Sequence, residues 1–127
     1  MNETPVVLIG ETRTIEISRD QDWNQSFFLV DGTRGRDLTD CIVEMHVRPT
    51  FDHATLIKLL SSDTGEIVID DAPHGAISID MPRVDVVSDI PVSPNQGWTH
   101  FLRVIDAADA EVEWFRGPLI VRAGKLT

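Results

Sequence analysis

The feature that most constrains the fold is an alternating run within residues 37–48, Asp-Leu-Thr-Asp-Cys-Ile-Val-Glu-Met-His-Val-Arg. Apolar side chains occupy the odd positions from Cys41 to Val47, and polar or charged side chains occupy the even positions from Glu44 to Arg48. A repeat of two is the period of a β-strand that has one face on a core and the other in water. The run therefore predicts a half-buried strand, opened by the turn-forming residues Asp-Leu-Thr-Asp.

Short runs of the same kind recur about every ten residues with turn residues between them, and this spacing is typical of an all-β sandwich. The runs are residues 14–18, 23–30, 55–60, 67–70, 76–80, 98–106, 111–115 and 118–122. The pattern lapses over residues 81–97, which contain Pro82, Pro91 and Pro94. This stretch predicts a long connection with one helical turn near residues 83–88.

A chain of 127 residues can bury about two thirds of its unfolded surface, so one core is expected. We place the domain at residues 14–122, with an N-terminal extension at 1–13 and a C-terminal tail at 123–127. The chain carries 21 acidic and 11 basic residues, a formal charge of −10, which disfavours binding to nucleic acid or anionic membranes. No apolar run reaches the roughly 18 residues of a membrane span, and the N-terminus lacks the basic region of a secretion signal. We therefore expect synthesis in a cytoplasm and protein partners.

The sequence contains no recognisable catalytic or metal-binding motif. The histidines lack a zinc-ligand spacing, and the aspartates near the turns lack the ordered calcium loop. These residues are His46, His53, His74 and His100, and Asp63, Asp70, Asp71 and Asp80. The single cysteine, Cys41, lies in the apolar register and is expected to be a small buried hydrophobe. We expect no enzymatic activity, no metal and no cofactor.

A series of short segments, taken in order and with their spacing, matches one known pattern. The segments are Thr14-Ile15-Glu16-Ile17, Asp22-Trp23 with Phe27, Arg36-Asp37-Leu38-Thr39, Met45-His46-Val47-Arg48, Gly65-Glu66-Ile67-Val68-Ile69, Gly75-Ala76-Ile77-Ser78-Ile79, Gly97-Trp98, Leu102-Arg103-Val104 and Gly117-Pro118-Leu119-Ile120-Val121. They resemble small tailed-phage virion proteins related to the N-terminal domain of baseplate upper proteins. The resemblance runs from about Thr14 to Val121 and implies an immunoglobulin-like antiparallel β-sandwich from a phage or prophage.

Two residues depart from the pattern of that family. Asp40 stands where the family usually has glycine after Asp-Leu-Thr, and Trp98 replaces the usual tyrosine after Gly97. Because aspartate tolerates the left-handed backbone conformation, we expect Asp40 to turn the chain as glycine would. We expect Trp98 to pack at the end of the sandwich, near the start of a strand.

The resemblance implies a non-enzymatic structural protein of a tailed-phage particle, a repeated tail or baseplate adaptor or a subunit on which fibres are mounted. The implied location is the virion, after synthesis in the host bacterial cytoplasm. The implied partners are other virion proteins and, by particle symmetry, copies of the chain itself. Two alternatives remain open: a capsid decoration or head-to-tail connector subunit, and a stand-alone carbohydrate-binding β-sandwich with Trp98 or Trp114 as the sugar platform.

Contacts between acidic subunits require either apolar surface or basic residues that match the acidic ones. The basic candidates for such protein contacts are Arg34, Arg36, Arg48, Arg116 and Arg122. The segments outside the strand pattern, residues 1–13, 81–97 and 123–127, are further candidates, because loops and termini are where a scaffold fold carries its contacts.

Overall fold

The computed structural model describes residues 5–51 and 53–124, which form two β-sheets, one short α-helix and one 3₁₀ turn. The strands are β1 (Val6–Leu8), β2 (Glu11–Thr12), β3 (Ile15–Ser18), β4 (Trp23–Asp31), β5 (Arg34–Gly35), β6 (Ile42–Arg48), β7 (Lys58–Ser61), β8 (Ile67–Asp71), β9 (Ala76–Met81), β10 (Trp98–Ile105) and β11 (Glu111–Arg122). The helix α1 spans Arg83–Asp89 and the 3₁₀ turn spans Ala72–His74.

The strand order is that of an immunoglobulin-like sandwich. Sheet A contains β1, β4, β9 and β8 in that order, and β5 pairs with the end of β4. Sheet B contains β11, β10, β6 and β7 in that order, with β2 and then β3 along the other side of β11. These orders correspond to the A-B-E-D and G-F-C-C′ sheets of variable-type domains. The predicted all-β sandwich is confirmed.

Among the strands of the described residues, three pairs are parallel: β1 with β4, β2 with β11, and β3 with β11. The sandwich is mainly antiparallel, as predicted, and the parallel pairs make its two sheets mixed. The physical reason is that a tight hairpin forces antiparallel pairing, whereas β3 and β11 are distant in the sequence and meet without one.

The core lies between the sheets and contains the apolar face predicted from the alternating run. Val43, Met45 and Val47 of β6 have no exposed surface, and Leu102 and Val104 of the neighbouring β10 are also buried. Since β6 lies between β10 and β7, its register constrains both neighbours. Sheet A contributes a second set of buried residues: Trp23, Phe27, Leu29, Ile77 and Ile79.

Part of the predicted N-terminal extension belongs to the sandwich, which corrects the boundary at residue 13. Val6–Leu8 pairs with β4, Glu11–Thr12 pairs with β11, and the Val7 side chain is fully buried. Strands of two and three residues are too short to show a period of two, so the sequence could not reveal them. Residues 1–4, and residues 125–127 of the predicted C-terminal tail, lie outside the described residues.

Hydrogen bonds at a β-bulge around Trp114 link the last strand to the N-terminal segment. The register of β11 against β10 slips by one residue there, which lets Trp114 and Phe115 both be buried. The Trp114 indole N–H donates to the Val7 carbonyl oxygen at 3.2 Å, and the Gly10 N–H donates to the Trp114 carbonyl oxygen at 2.7 Å. With 1% of its surface exposed, Trp114 offers no ring face to a sugar, so that part of the carbohydrate alternative is wrong.

The long connection carries the predicted helical turn as α1. The Asp22 carboxylate accepts a hydrogen bond from the Arg83 N–H at 2.7 Å, which satisfies one of the free donors at the start of the helix. Trp98 begins β10, is partly buried against the core, and donates its indole N–H to the Pro91 carbonyl oxygen at 3.0 Å. The expected position of Trp98 at a strand start is confirmed.

Asp40 and Gly65 lie in turns and each has a positive φ. Asp40 has a φ of 60°, the left-handed conformation predicted for it in place of glycine. Gly65 has a φ of 95° in the turn between β7 and β8. Because β7 belongs to sheet B and β8 to sheet A, this turn carries the chain from one sheet to the other.

The chain crosses β11 closely between β2 and β3. The Arg13 N–H donates to the Arg116 carbonyl oxygen at 2.9 Å, and a Cβ placed on Gly117 would lie 2.1 Å from the Arg13 carbonyl oxygen. The same oxygen accepts a hydrogen bond from His100 Nε2–H at 2.8 Å. His100 is fully buried, meets the Phe115 ring edge-on at 5.5 Å between centroids, and has no partner for Nδ1 within residues 5–51 and 53–124.

Burial keeps the His100 ring neutral. Desolvation lowers the pKa of His100 to about 4, and the hydrogen bond to the Arg13 carbonyl, which favours the charged form, offsets this only in part. An unfolded chain would protonate the same ring near pH ~6.5. Acid therefore favours the unfolded state through this residue.

We predict that mild acid destabilises the fold through His100. The folded pKa lies below the unfolded one, so the stabilisation is complete above about pH 6.5 and is lost as the pH falls toward 4. The free energy of unfolding, measured with urea, should be about 2 kcal/mol lower at about pH 5 than at about pH 7. The His100→Phe variant should lose most of this difference, and NMR titration of the wild-type ring gives an independent reading. Equal pH dependence in the two proteins would contradict the assignment.

We also predict that Leu102→Ala lowers the free energy of unfolding by about 2 to 5 kcal/mol, because it leaves a cavity in the closed core. The matched control is Val84→Ala on α1, where the side chain is 70% exposed and the change should stay within about 0.5 kcal/mol. Thermal and urea unfolding measure both. An unchanged melting temperature for Leu102→Ala would show that the core is placed wrongly.

Candidate protein-contact surface

One row of side chains crosses four strands on the outer side of sheet B. Arg116 of β11 lies beside Phe101 of β10. Phe101 lies beside His46 of β6, which lies beside Leu59 of β7. These residues alternate with the buried residues of their strands, so they belong to the side facing away from the core. The row places a cation, two rings and a leucine next to one another.

A chain of hydrogen bonds runs along the same side of the sheet. Arg48 Nη2 donates to His46 Nδ1 at 3.3 Å, and His46 Nε2 lies 3.4 Å from Glu44 Oε1. Arg103 donates to the same Glu44 oxygen from Nε at 3.0 Å and from Nη2 at 2.8 Å, and its Nη1 donates to Glu111 Oε2 at 3.2 Å. Since an arginine only donates, His46 Nδ1 accepts, and the ring proton lies on Nε2, directed at Glu44.

The surroundings of His46 favour its neutral form. Desolvation lowers the pKa of His46, the Glu44 carboxylate opposes this shift, and the positive charges of Arg103 and Arg48 add to it. The ring is 8% exposed and stacks on Phe101, with centroids 4.6 Å apart and planes 16° from parallel. The rings at the centre of the row are therefore held in a fixed position.

The connection between β6 and β7 adds an exposed ring. Arg48 Nη1 donates to the carbonyl oxygens of His53 and Ala54, both at 3.0 Å, and this holds the connection against the end of β6. Phe51 lies in this connection and is 37% exposed, with the Arg116 guanidinium 4.5 Å from its ring centroid. Arginine and phenylalanine thus share the exposed part of the surface.

Carboxylates fix the two arginines of β11. Glu113 receives a two-pronged contact from Arg116, with Nε to Oε2 at 2.8 Å and Nη2 to Oε1 at 2.6 Å. Further along the strand, Arg122 pairs with Glu16 of β3. Exposed ion pairs contribute little to stability, but they restrict the positions of the cations.

We use the name charged face for the surface formed by Glu44, His46, Arg48, Phe51, Phe101, Arg103 and Arg116. Two of the predicted contact arginines, Arg48 and Arg116, lie together on it, and Arg122 lies at the far end of β11. Arg34 and Arg36 are separate from these, because they lie in and just after β5 of sheet A. That these five residues contact other proteins stays a prediction.

Five of the seven members of the charged face were not among the predicted contact residues: Glu44, His46, Phe51, Phe101 and Arg103. The signal for Phe101 and Arg103 was present, since both alternate with buried residues along β10. Phe51 gave no signal, because its position depends on an irregular connection held by side-chain hydrogen bonds.

The charged face has the properties of a protein contact surface. It lies on the outer side of sheet B, and it contains arginine and aromatic side chains, the types that are enriched in protein interfaces. Among residues 5–51 and 53–124, no group of three or more histidine, cysteine, aspartate or glutamate side chains could hold a metal ion. Over the same described residues, no helix is long and apolar enough to cross a membrane.

The fold has a counterpart among solved structures. The N-terminal domain of phage TP901-1 ORF48 matches with a TM-score of 0.52 and 9% sequence identity, over 94% of this chain and 99% of that one. At this identity the likeness concerns the fold alone. Extracellular domains 3–5 of Drosophila OTK give a TM-score of 0.34 and 14% identity over 91% of this chain and 33% of that one, too low to carry an argument. No protein-family model matches the chain, and no curated protein sequence matches it.

We predict that two substitutions shift the pKa of His46 in opposite directions. Glu44→Gln should lower it, because the carboxylate favours the charged ring. Arg48→Met should raise it, because a nearby cation is removed while most of the apolar stem is kept. NMR titration of the imidazole resonances measures both, with His74 as an internal reference outside the charged face. Shifts of the same sign would contradict the hydrogen-bond chain.

Proposed function

We propose that this protein is a non-enzymatic structural subunit of a tailed-phage particle, a repeated adaptor of the tail or baseplate on which other parts such as fibres are mounted. The observation that carries the proposal is the fold shared with the N-terminal domain of phage TP901-1 ORF48, which spans nearly the whole of both chains. The ordered sequence segments that resemble small tailed-phage virion proteins support the same class. One likeness is in the fold and the other in the motifs.

The charged face supplies such a subunit with a surface ready for a partner protein. Hydrogen bonds within the chain already hold His46, Arg48 and Arg103, so binding would order few further side chains. Phe51 and Arg116 supply the exposed ring and cation. These are the side-chain types that dominate binding energy in protein interfaces.

An adaptor needs a second contact surface, and the long connection provides an apolar one. Val84 and Val87 of α1 are 70% and 44% exposed, and Val92 beyond the helix is 42% exposed. Val84 and Val87 are three residues apart and therefore share one face of α1, and exposed apolar groups that lie together mark contact sites more often than isolated ones do. This supports the expectation that residues 81–97 carry assembly contacts.

A capsid decoration or head-to-tail connector subunit would belong to the same class and would differ only in its station on the particle. Separation of heads from tails distinguishes a tail adaptor from a decoration subunit. The carbohydrate-binding alternative has no supporting observation, since Trp114 is buried and the Trp98 indole N–H is already bonded to Pro91.

We predict that purified particles from the source bacterium contain the chain in a fixed ratio to the tail proteins. After heads and tails are separated, quantitative mass spectrometry should find it with the tails, whereas a decoration subunit would follow the heads. Wild-type protein added to particles from a strain lacking the gene should restore the same ratio. Absence of the chain from purified particles would refute the proposed function.

The same loading assay tests the two surfaces. Phe51→Ala/Arg116→Ala removes the exposed ring and cation, and Val84→Asp/Val87→Asp places charge on the apolar surface; each should reduce loading about tenfold or more. Ala107→Asp/Ala108→Asp, in the exposed turn between β10 and β11, is a control for the added charge and should load like the wild type. Unfolding curves of all variants separate lost contacts from lost fold.

A further inference from the structure

The outer side of sheet A presents accessible carboxylates, whereas the charged face presents arginines. It carries a groove lined by Asn24, Ser26, Val68, Asp70, Ser78 and Asp80, which we call the acidic groove. In the strand register Asn24 lies beside Asp80, and Ser26 lies beside Ser78. No lysine, arginine or histidine lines the groove. Its small side chains leave the two carboxylates accessible to a partner.

The carboxylates of the acidic groove have no partner of their own. Asp70 and Asp80 are both exposed, and neither side chain makes a hydrogen bond or an ion pair within residues 5–51 and 53–124. On the charged face, the cation of Arg48 has no carboxylate partner among the described residues. Unpaired carboxylates therefore lie on one side of the sandwich, and a guanidinium held only by neutral groups lies on the other.

Charge decides which surfaces of two copies can meet. The chain carries −10 overall, so contact between two acidic grooves would bring unpaired carboxylates together. Contact between two charged faces would offer the Arg48 cation no unpaired carboxylate, because the nearby glutamates already pair with Arg103 and Arg116. A charged face against an acidic groove places guanidinium groups opposite carboxylates and attracts.

We propose that the charged face of one copy docks on the acidic groove of the next copy. The inference rests on the proposed function in one respect: the symmetry of a phage particle would bring many copies of the chain close together. The two surfaces lie on opposite sides of one sandwich, so the contact is heterologous: each added copy leaves one free surface at either end. Such association continues until a ring closes or a stack forms.

The size of the surfaces makes each contact weak. The charged face covers three strands about 4.8 Å apart and part of the connection after β6, roughly 300 Å². Stable complexes bury about 800 Å² per partner. One contact should therefore hold two copies together only at high protein concentration and low salt. In a ring on a platform, several such contacts act together and the copies bind more tightly.

Sedimentation velocity of the folded wild-type protein, from about 0.01 mM to about 1 mM and at about 0.05 M and 0.5 M salt, tests the inference. Wild type should associate with rising concentration at low salt and dissociate at high salt. Arg116→Glu makes the charged face acidic, and Asp80→Arg makes the groove basic; each should weaken association about tenfold or more. Arg34→Glu and Asp63→Arg carry the same charge changes at positions outside both surfaces and should behave like wild type.

Mixing the two variants gives the decisive result. Each variant alone opposes like charges, but in an equimolar mixture the acidic face of Arg116→Glu meets the basic groove of Asp80→Arg, and the reciprocal contact is that of the wild type. Association should return on mixing. A wild type that stays monomeric at about 1 mM and low salt, or variants that do not recover together, would overturn the inference and assign the charged face to a different partner. Loading onto particles is measured separately, so either proposal can fail while the other stands.

Discussion

The sandwich depends on one close backbone contact, the passage of Arg13 over Gly117. Any side chain at residue 117 would bring a Cβ to 2.1 Å from the Arg13 carbonyl oxygen, so the strand must have a glycine at this crossing. The passage lets β2 and then β3 pair with the same strand, β11. It also brings the Arg13 carbonyl oxygen within hydrogen-bond distance of His100, a buried residue of β10. A single peptide group thereby couples the edge of sheet B to its centre, and the buried histidine acts as the donor that this inward-facing carbonyl requires.

The sequence was sufficient where a period of two is long enough to be counted. The register of Val43, Met45 and Val47, the helical turn after Pro82 and the left-handed Asp40 all follow from local chemistry, and the structure agrees. It was insufficient where structure depends on partners far along the chain. The short strands at Val6–Leu8 and Glu11–Thr12 become strands because β4 and β11 pair with them, and a bulge breaks the alternation that would have placed Trp114.

The charged face, too, could be predicted from the sequence only in part. Alternation along β6 and β10 assigns Glu44, His46 and Arg103 to one side of a strand, but only the register between the strands makes them neighbours. The hydrogen-bond chain then uses each arginine twice, once within the face and once to hold a neighbouring element, as Arg48 holds the connection that carries Phe51. This arrangement fixes the arginines and the glutamates of the surface in position before any partner binds. A surface fixed in this way before binding is what a repeated structural subunit requires, because every copy must present the same contact.

The parallel pairing of β3 with β11 has a consequence for how the molecule is made. Ile15 and Ile17 are buried in the strand that pairs with Leu119 and Val121, about a hundred positions further along the chain. Folds dominated by such distant contacts form slowly, because a large loop must close before the contact stabilises anything. During synthesis the early strands emerge from the ribosome long before their partner exists, so the nascent chain passes through a period with an open edge and uncovered isoleucines. Its yield in the cell should therefore be governed by the protection of that intermediate more than by the stability of the finished sandwich.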